Sequence, residues 1–339
     1  MKAYINAVDY YLPKKILTNE SLIQDFPEWN VNKIIEKVGV NKRHIASEHE
    51  TAVDLAIEAS NKLFNQGIEK GSIDYILFCT QSPDYFLPAS ACIIQDRLGL
   101  SKNIGAIDFN QGCSGFVYGL SLAKGLILGN IAKKILLLTA ETYTKKLHIR
   151  DKGNRTIFGD GAAATLITTE GFAEIGEFHL GTDGAGAENL IIKTGAARNP
   201  EKSGKVEFDE NNNPISPDYI FMNGSEIFSF TIDTIPNLIK DVLKKNRIAK
   251  ENVDLFIFHQ ANKYMLDFLR KKTNIEENKF YIYLSEVANT VSSTIPIAIC
   301  EALKDGCIKK NMKILLAGFG VGFSWAGCML NIGNLSFYE

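Results

Sequence analysis

The sequence predicts an α/β protein made of two duplicated halves with mixed sheets, packed face to face about a pseudo-twofold. Three observations carry this. Ile73-Asp74-Tyr75-Ile76-Leu77-Phe78-Cys79 matches Val253-Asp254-Leu255-Phe256-Ile257-Phe258-His259 at an offset of 180. Lys133-Lys134-Ile135-Leu136-Leu137-Leu138 matches Met312-Lys313-Ile314-Leu315-Leu316-Ala317 at an offset of 179. Between them, each half places a segment of helical period behind a small-residue turn, 113–128 in the first and 289–303 in the second. The matched runs are short and continuously apolar, as in strands buried on both faces, and they alternate with helical patterns.

In chain order, the N-terminus Met1-Lys2-Ala3-Tyr4-Ile5-Asn6-Ala7-Val8-Asp9-Tyr10 carries polar and acidic residues where a signal peptide needs an unbroken apolar stretch. Helical periodicity follows over 52–64 and 89–98, flanking the strand at 73–79. The apolar run at 106–109 stops at Asn110-Gln111-Gly112-Cys113-Ser114-Gly115, where a helix begins. Gly159-Asp160-Gly161-Ala162 has the small residues of a close-packed, structural turn. We place the boundary between the halves at 172/173, giving 1–172 and 173–339. The segment 193–218, with Gly195, Pro200, Gly204, Asn211-Asn212-Asn213, Pro214 and Pro217, reads as a long loop or hairpin, either a linker or a lid over a substrate channel. Helices are then expected over 235–245, 263–272 and 289–303, and strands over 253–258 and 312–317.

At 339 residues, 45% hydrophobic and 22% charged, the chain has the composition of a soluble globular protein with room for two cores. A formal charge of −2 argues against nucleic acid as a partner, since a polyanion binder carries a basic excess. Six cysteines without a CxxC pair or a histidine cluster argue against zinc and against a disulfide scaffold. Apolar runs are too short to span a bilayer, which leaves a reducing cytoplasm as the expected compartment.

Cys113 is the candidate nucleophile. A strand-to-helix turn exposes its residue, the free N–H groups and positive helix end stabilise a thiolate, and Gly112, Ser114 and Gly115 let substrate approach. The other reading is a small packed thiol. His259 ends the strand of the second half that matches the first, and Asn289 sits at the counterpart of the Cys113 turn, either as a helix cap or as a catalytic amide. Equivalent strand ends converge when two halves pack about a twofold, so His259 and Asn289 would offer an imidazole and a carboxamide N–H to one site. Gly318-Phe319-Gly320-Val321-Gly322-Phe323 lacks the Lys-Ser/Thr of a phosphate loop and reads as a tight turn aiming a backbone N–H into that site.

These residues, with Tyr11-Leu12-Pro13, Gly39-Val40-Asn41-Lys42-Arg43-His44-Ile45-Ala46, Phe158-Gly159-Asp160-Gly161, Met222-Asn223-Gly224-Ser225-Glu226-Ile227-Phe228 and His259-Gln260-Ala261-Asn262, resemble the thiolase-fold condensing enzymes, most closely the β-ketoacyl-acyl-carrier-protein synthase III group. The resemblance spans the whole chain. It implies a five-layered αβαβα homodimer that needs no metal or redox cofactor. It also implies that Cys113 is acylated by an acyl-CoA or acyl-carrier thioester, and that His259 and Asn289 hold the thioester carbonyl of a malonyl-carrier extender as it loses CO₂. The backbone N–H groups of Cys113 and Val321 would form a second oxyanion hole; members often have Gly at the latter position. Lys33 and Lys152 stand where members that use acetyl-CoA carry a Trp and an Arg around the adenine, and Tyr264, beside Lys263, stands where another Arg lies. Leu87 occupies the place from which the dimer partner caps the acyl pocket, often with Phe. Gln81 lies near the catalytic Glu of hydroxymethylglutaryl-CoA synthases, and an amide cannot be their general base.

An acidic acyl carrier protein calls for a basic patch at the entrance. Arg270, Lys271 and Lys272 are the first candidates and Lys244, Lys245 and Arg247 the second, against the alternative of ordinary solvated helix ends. Two other activities remain open: transfer of the acyl group from Cys113 to an alcohol or amine, and a non-catalytic partner subunit.

Overall fold

The structure is a computed structural model describing residues 1–26 and 29–335. Its largest sheet has ten strands in the spatial order Phe280–Tyr281, Leu255–Phe258, Lys313–Gly320, Ser324–Ile332, Ala173–Thr182, Tyr4–Tyr11, Gly161–Thr168, Lys134–Glu141, Tyr75–Cys79, Gly105–Phe109. Read from either end, the pattern is the same. The second strand pairs in parallel with both neighbours, and the next two ladders are antiparallel. The two five-stranded units join in the sheet through the short antiparallel ladder Tyr4↔Glu174 and Ile5↔Ala173.

Strand alternation separates the layers. Leu77, Leu137, Ile257 and Leu316 face an inner core with Phe116, Leu120 and Ile127 of the helix Gly115–Leu128 and Ile295, Ala298 and Ala302 of the helix Thr294–Lys304. Their neighbours Ile76, Phe78, Leu136 and Leu138 face outward onto the helices Ala52–Phe64 and Ser90–Arg97. On the far side Phe256, Phe258, Leu315 and Ala317 face the helices Gly224–Asn246 and Lys263–Lys272. The result is five layers, αβαβα. Apolar residues on both faces of each central strand require this arrangement, because either face left open would expose them to water.

Two elements differ from expectation. The helix expected over 235–245 runs from Gly224 to Asn246 through Pro236. Pro236 reads as a helix start, but Asn223 caps the earlier turn by accepting from the Glu226 N–H, and Ile227 and Thr231 already bury one face. The helix expected from 289 begins at Thr294, preceded by a 3₁₀ turn Val291–Ser293. Segment 193–218 is mostly irregular, with the short hairpin Glu207–Phe208 and Pro214–Ile215.

Candidate active site

Cys113 lies between the end of the strand Gly105–Phe109 and the helix Gly115–Leu128, and is 7% exposed. The strand–turn–helix pattern places it at the inner helix N-terminus, but the C-terminal loop covers it. A Cβ on Gly320 would come within 2.9 Å of both Cβ and Sγ of Cys113, so only glycine admits this approach. Gly112 and Gly115 serve packing as well: a Cβ on Gly112 would meet the Val321 side chain at 2.4 Å, and one on Gly115 the Cys79 sulfur at 2.3 Å. Cys113 shares one buried cluster with Tyr143, Leu147, Phe158, Ile220 and Val291.

Burial pushes the Cys113 thiol up to about 12, with a further push from the Glu141 carboxylate. The N–H groups of Val321 and of Cys113 itself oppose this without overcoming it. Burial thus favours the thiol over the thiolate expected from the helix end, desolvation outweighing the two N–H contacts. The same two N–H groups, aimed at the sulfur, are the pair expected as an oxyanion hole.

His259 follows the strand Leu255–Phe258 and is 2% exposed. Burial holds its pKa down at about 3, against the Val291 carbonyl, which favours the charged form. Its Nδ1 lies 2.7 Å from Thr294 Oγ1, and its Nε2 lies 3.5 Å from Asn289 Nδ2. Asn289 does not cap the Thr294–Lys304 helix. Its Oδ1 accepts from the Val291 N–H at 2.9 Å, which turns Nδ2 toward His259 and the Ala261 carbonyl. The close-packed Gly159 turn holds its backbone: Asn289 N–H donates to Ile157 O at 3.0 Å, and Gly159 N–H to Asn289 O at 3.1 Å. Val291 belongs to the same buried cluster as Cys113 and holds Asn289 through its N–H, which links the two halves of the site.

Two residues singled out in the sequence, Gln81 and Asp160, brace the surroundings of the turn. Gln81 accepts from the Tyr143 hydroxyl and donates to Asn110 Oδ1 at 3.0 Å, so its carboxamide braces the segment before Cys113. Asp160 accepts from Ala46 N–H at 2.8 Å and from Thr144 N–H at 3.0 Å, a structural role for that turn. Among the described residues, no group of three or more His, Cys, Asp or Glu is arranged to hold a metal ion.

A cavity of about 810 Å³ opens beside the site. Ile157, Ile220 and Met222 belong both to its wall and to the buried cluster that contains Cys113 or the residues packed against that cluster. Lys193, Pro214 and Ile215 bring segment 193–218 into that wall, so the segment shapes the cavity and is more than a linker. Lys152 lies between the wall residues Asp151 and Gly153, its Nζ donating to Asn211 O of that segment at 3.3 Å and lying 6.0 Å from the Phe26 ring.

The remaining expected entrance residues lie on two adjacent helices. Lys33 is exposed on the helix Val31–Val38, whose end at Gly39 abuts the Lys263 side chain. Tyr264 is 60% exposed and lies against Phe228. Arg270 and Lys272 reach Glu277 at 3.7 Å and Asp233 at 3.6 Å, which offsets part of their charge, while Lys271 points to solvent. Lys245 donates to Phe178 O at 2.8 Å on the far end of the Gly224–Asn246 helix, beside Lys244 and Arg247. Leu87 is 81% exposed in a surface loop with Tyr85 and Phe86, outside the chain's own cavity.

A thiol at one inner helix N-terminus, with an imidazole and a carboxamide beside the matching helix of the duplicated half, defines a thiolase-fold condensing enzyme, an acyltransferase. The family described as 3-oxoacyl-[acyl-carrier-protein] synthase III matches residues 107–184, and its C-terminal counterpart matches 243–332. The β-ketoacyl-[acyl-carrier-protein] synthase III of Clostridium perfringens is 38% identical over 324 residues, covering 95% of this chain and 97% of that one. That of Campylobacter concisus is 33% identical over 343 residues, covering 100% and 99%. Among solved structures, a 3-oxoacyl-(acyl-carrier-protein) synthase III superposes with TM-score 0.95 at 45% identity, covering 98% of this chain and 100% of that one. The 3-oxoacyl-(acyl-carrier protein) synthase of Burkholderia xenovorans gives 0.90 at 34% identity, covering 98% and 95%. The chain belongs to the 3-oxoacyl-[acyl-carrier-protein] synthase III family.

Proposed function

We propose that this enzyme condenses an acyl thioester with malonyl-carrier protein in fatty acid biosynthesis, and that Cys113, His259 and Asn289 carry the chemistry. In the first half-reaction the Cys113 sulfur attacks the thioester carbonyl, the oxyanion rests on the N–H groups of Cys113 and Val321, and the carrier leaves as its thiol, taking up the proton lost by Cys113. In the second, the malonyl thioester loses CO₂. The resulting enolate oxygen is held by N–H donors from His259 and Asn289, and its carbon attacks the acyl carbonyl. The tetrahedral adduct then expels the Cys113 sulfur as a thiolate, which takes up a proton from solvent to restore the thiol, and leaves a β-ketoacyl thioester on the carrier. Neutral donors suit this step, since they stabilise the enolate without protonating its carbon. The thiol, imidazole, carboxamide and backbone N–H groups are sufficient for this route.

The observation that carries the reading is the placement of Cys113 and Asn289 at matching turns of the two halves, joined through Val291. Incubating the protein with acyl thioester and malonyl-carrier tests it. CO₂ release with formation of a β-ketoacyl product is expected, and an acyl-Cys113 adduct that forms with no CO₂ release would overturn it. Cys113→Ala should abolish acylation. His259→Ala and Asn289→Ala should keep acylation and lose condensation by about a hundredfold or more. A block of acylation in His259→Ala would contradict this division of roles.

The carrier and donor enter, in this reading, past Lys33, Lys152, Lys263, Tyr264 and the Arg270–Lys272 helix end. The exposed apolar residues Phe86, Leu87 and Ile107, at or beside the sheet-edge strand Gly105–Phe109, support a homodimer in which Leu87 reaches the partner's acyl pocket. Six cysteines, none paired in a disulfide among the described residues, and the lack among those residues of a helix long and apolar enough to cross a membrane, support the reading of a cytoplasmic enzyme.

A further inference from the structure

We propose that Thr294 is a positioning residue that sets the tautomer of His259, keeping the ring proton on Nε2, where the thioester carbonyl is to be held. The inference rests on the reading of His259 and Asn289 as donors to that carbonyl.

A neutral imidazole carries one N–H, so it can donate at Nε2 only if Nδ1 accepts. Thr294 Oγ1 lies 2.7 Å from His259 Nδ1 and 3.0 Å from Val291 O. The hydroxyl has one proton for these two acceptors. If it goes to Nδ1, the ring proton sits at Nε2; if it goes to Val291 O, the Thr294 oxygen accepts from Nδ1–H and Nε2 is bare.

Three features of the site favour the first arrangement. The contact to Nδ1 is the shorter of the two. The 3.5 Å between His259 Nε2 and Asn289 Nδ2 is longer than a working N–H···N bond, and suits two donors flanking one incoming oxygen. Asn289 presents its NH₂ group there because its Oδ1 is already held by Val291 N–H at 2.9 Å. Val291 has φ +56°, in the left-handed region that a β-branched residue rarely adopts. That backbone turn sends its N–H to Asn289 and its carbonyl toward Thr294 and His259.

The Val291 carbonyl is therefore the competitor. Without the Thr294 hydroxyl it is left to accept from Nδ1–H, which strips the proton from Nε2. Thr294→Val is isosteric and should flip the tautomer without opening a cavity.

The test combines histidine-labelled nitrogen NMR, which distinguishes the two ring nitrogens, with separate assays of the half-reactions. In the wild type, the His259 signals should report a protonated Nε2. In Thr294→Val they should report a protonated Nδ1, with condensation falling about a hundredfold, the cost of one lost oxyanion donor, while Cys113 still takes up acyl groups. Thr294→Ser should restore both the tautomer and the rate. A protonated Nδ1 in the wild type overturns the proposal by itself, even if Thr294→Val fails to fold. A folded Thr294→Val that condenses at the wild-type rate overturns it too. If His259→Ala condenses normally, the assignment of His259 as a donor fails, whatever Thr294 does.

Discussion

At the scale of single residues, the tension lies in Cys113. Its place at a helix N-terminus favours the thiolate, yet its burial raises the thiol to about 12. For a group whose pKa is raised, the reactive form stays scarce below that value and increases about tenfold with each pH unit toward it. Iodoacetamide near neutral pH should therefore modify the exposed Cys92 and Cys307 first and Cys113 slowly. The Cys113 rate should keep climbing through alkaline pH; peptide mass spectrometry showing a plateau below about pH 8 would contradict the burial argument. Acyl thioesters should escape this limit, because the bound carbonyl oxygen meets the same N–H groups that otherwise only touch the sulfur. Cys113, His259 and Asn289 stood out in sequence as candidates because Cys113 and His259 follow or end apolar runs and Asn289 sits at the second-half counterpart of the Cys113 turn. Val291 and Thr294 did not: their roles depend on a positive φ and on an imidazole that reaches them from another strand.

At the scale of elements, boundaries depended on caps more than on periodicity. The helix Gly224–Asn246 owes its early start to Asn223, whose side chain accepts from the Glu226 N–H. Asn223→Ala should lower stability by about 1 kcal/mol, measured by denaturant unfolding, and a change too small to resolve would show that burial of Ile227 and Thr231 alone sets the start. Segment 193–218 shows the converse. Its glycines, prolines and asparagines announce an irregular stretch, but its packing comes from Asp218, which accepts from Thr194 Oγ1 at 2.7 Å and from the N–H groups of Ser203 and Gly204 at 2.8 Å each. The Thr194 hydrogen bond, with those from Ser203 and Gly204, holds the Asp218 carboxyl down at about 2. No local pattern reveals that this loop walls the cavity next to Cys113.

At the scale of the whole molecule, the exposed face around the edge strand Gly105–Phe109 calls for a partner. Phe86 is 86% exposed, Leu87 81% and Ile107 41%, and an unpaired strand edge beside apolar residues is costly to leave in water. Sedimentation should show a dimer, and Phe86→Asp should shift it toward monomer with weaker acyl uptake. A wild-type protein that stays monomeric at working concentrations would remove Leu87 from the acyl pocket altogether.

The sequence by itself determined the α/β alternation and the family and named the three residues proposed to carry the chemistry, because apolar runs, the turns that end them and motifs recurring at a fixed offset are all written along the chain. Only the tertiary structure decided that Cys113 is buried so that its thiol is favoured, that Gly112 and Gly115 make room for protein rather than substrate, and that Val291 orients Asn289 beside His259. Burial and hydrogen-bond partners are properties of segments brought together from far along the chain, so no stretch of sequence carries them alone.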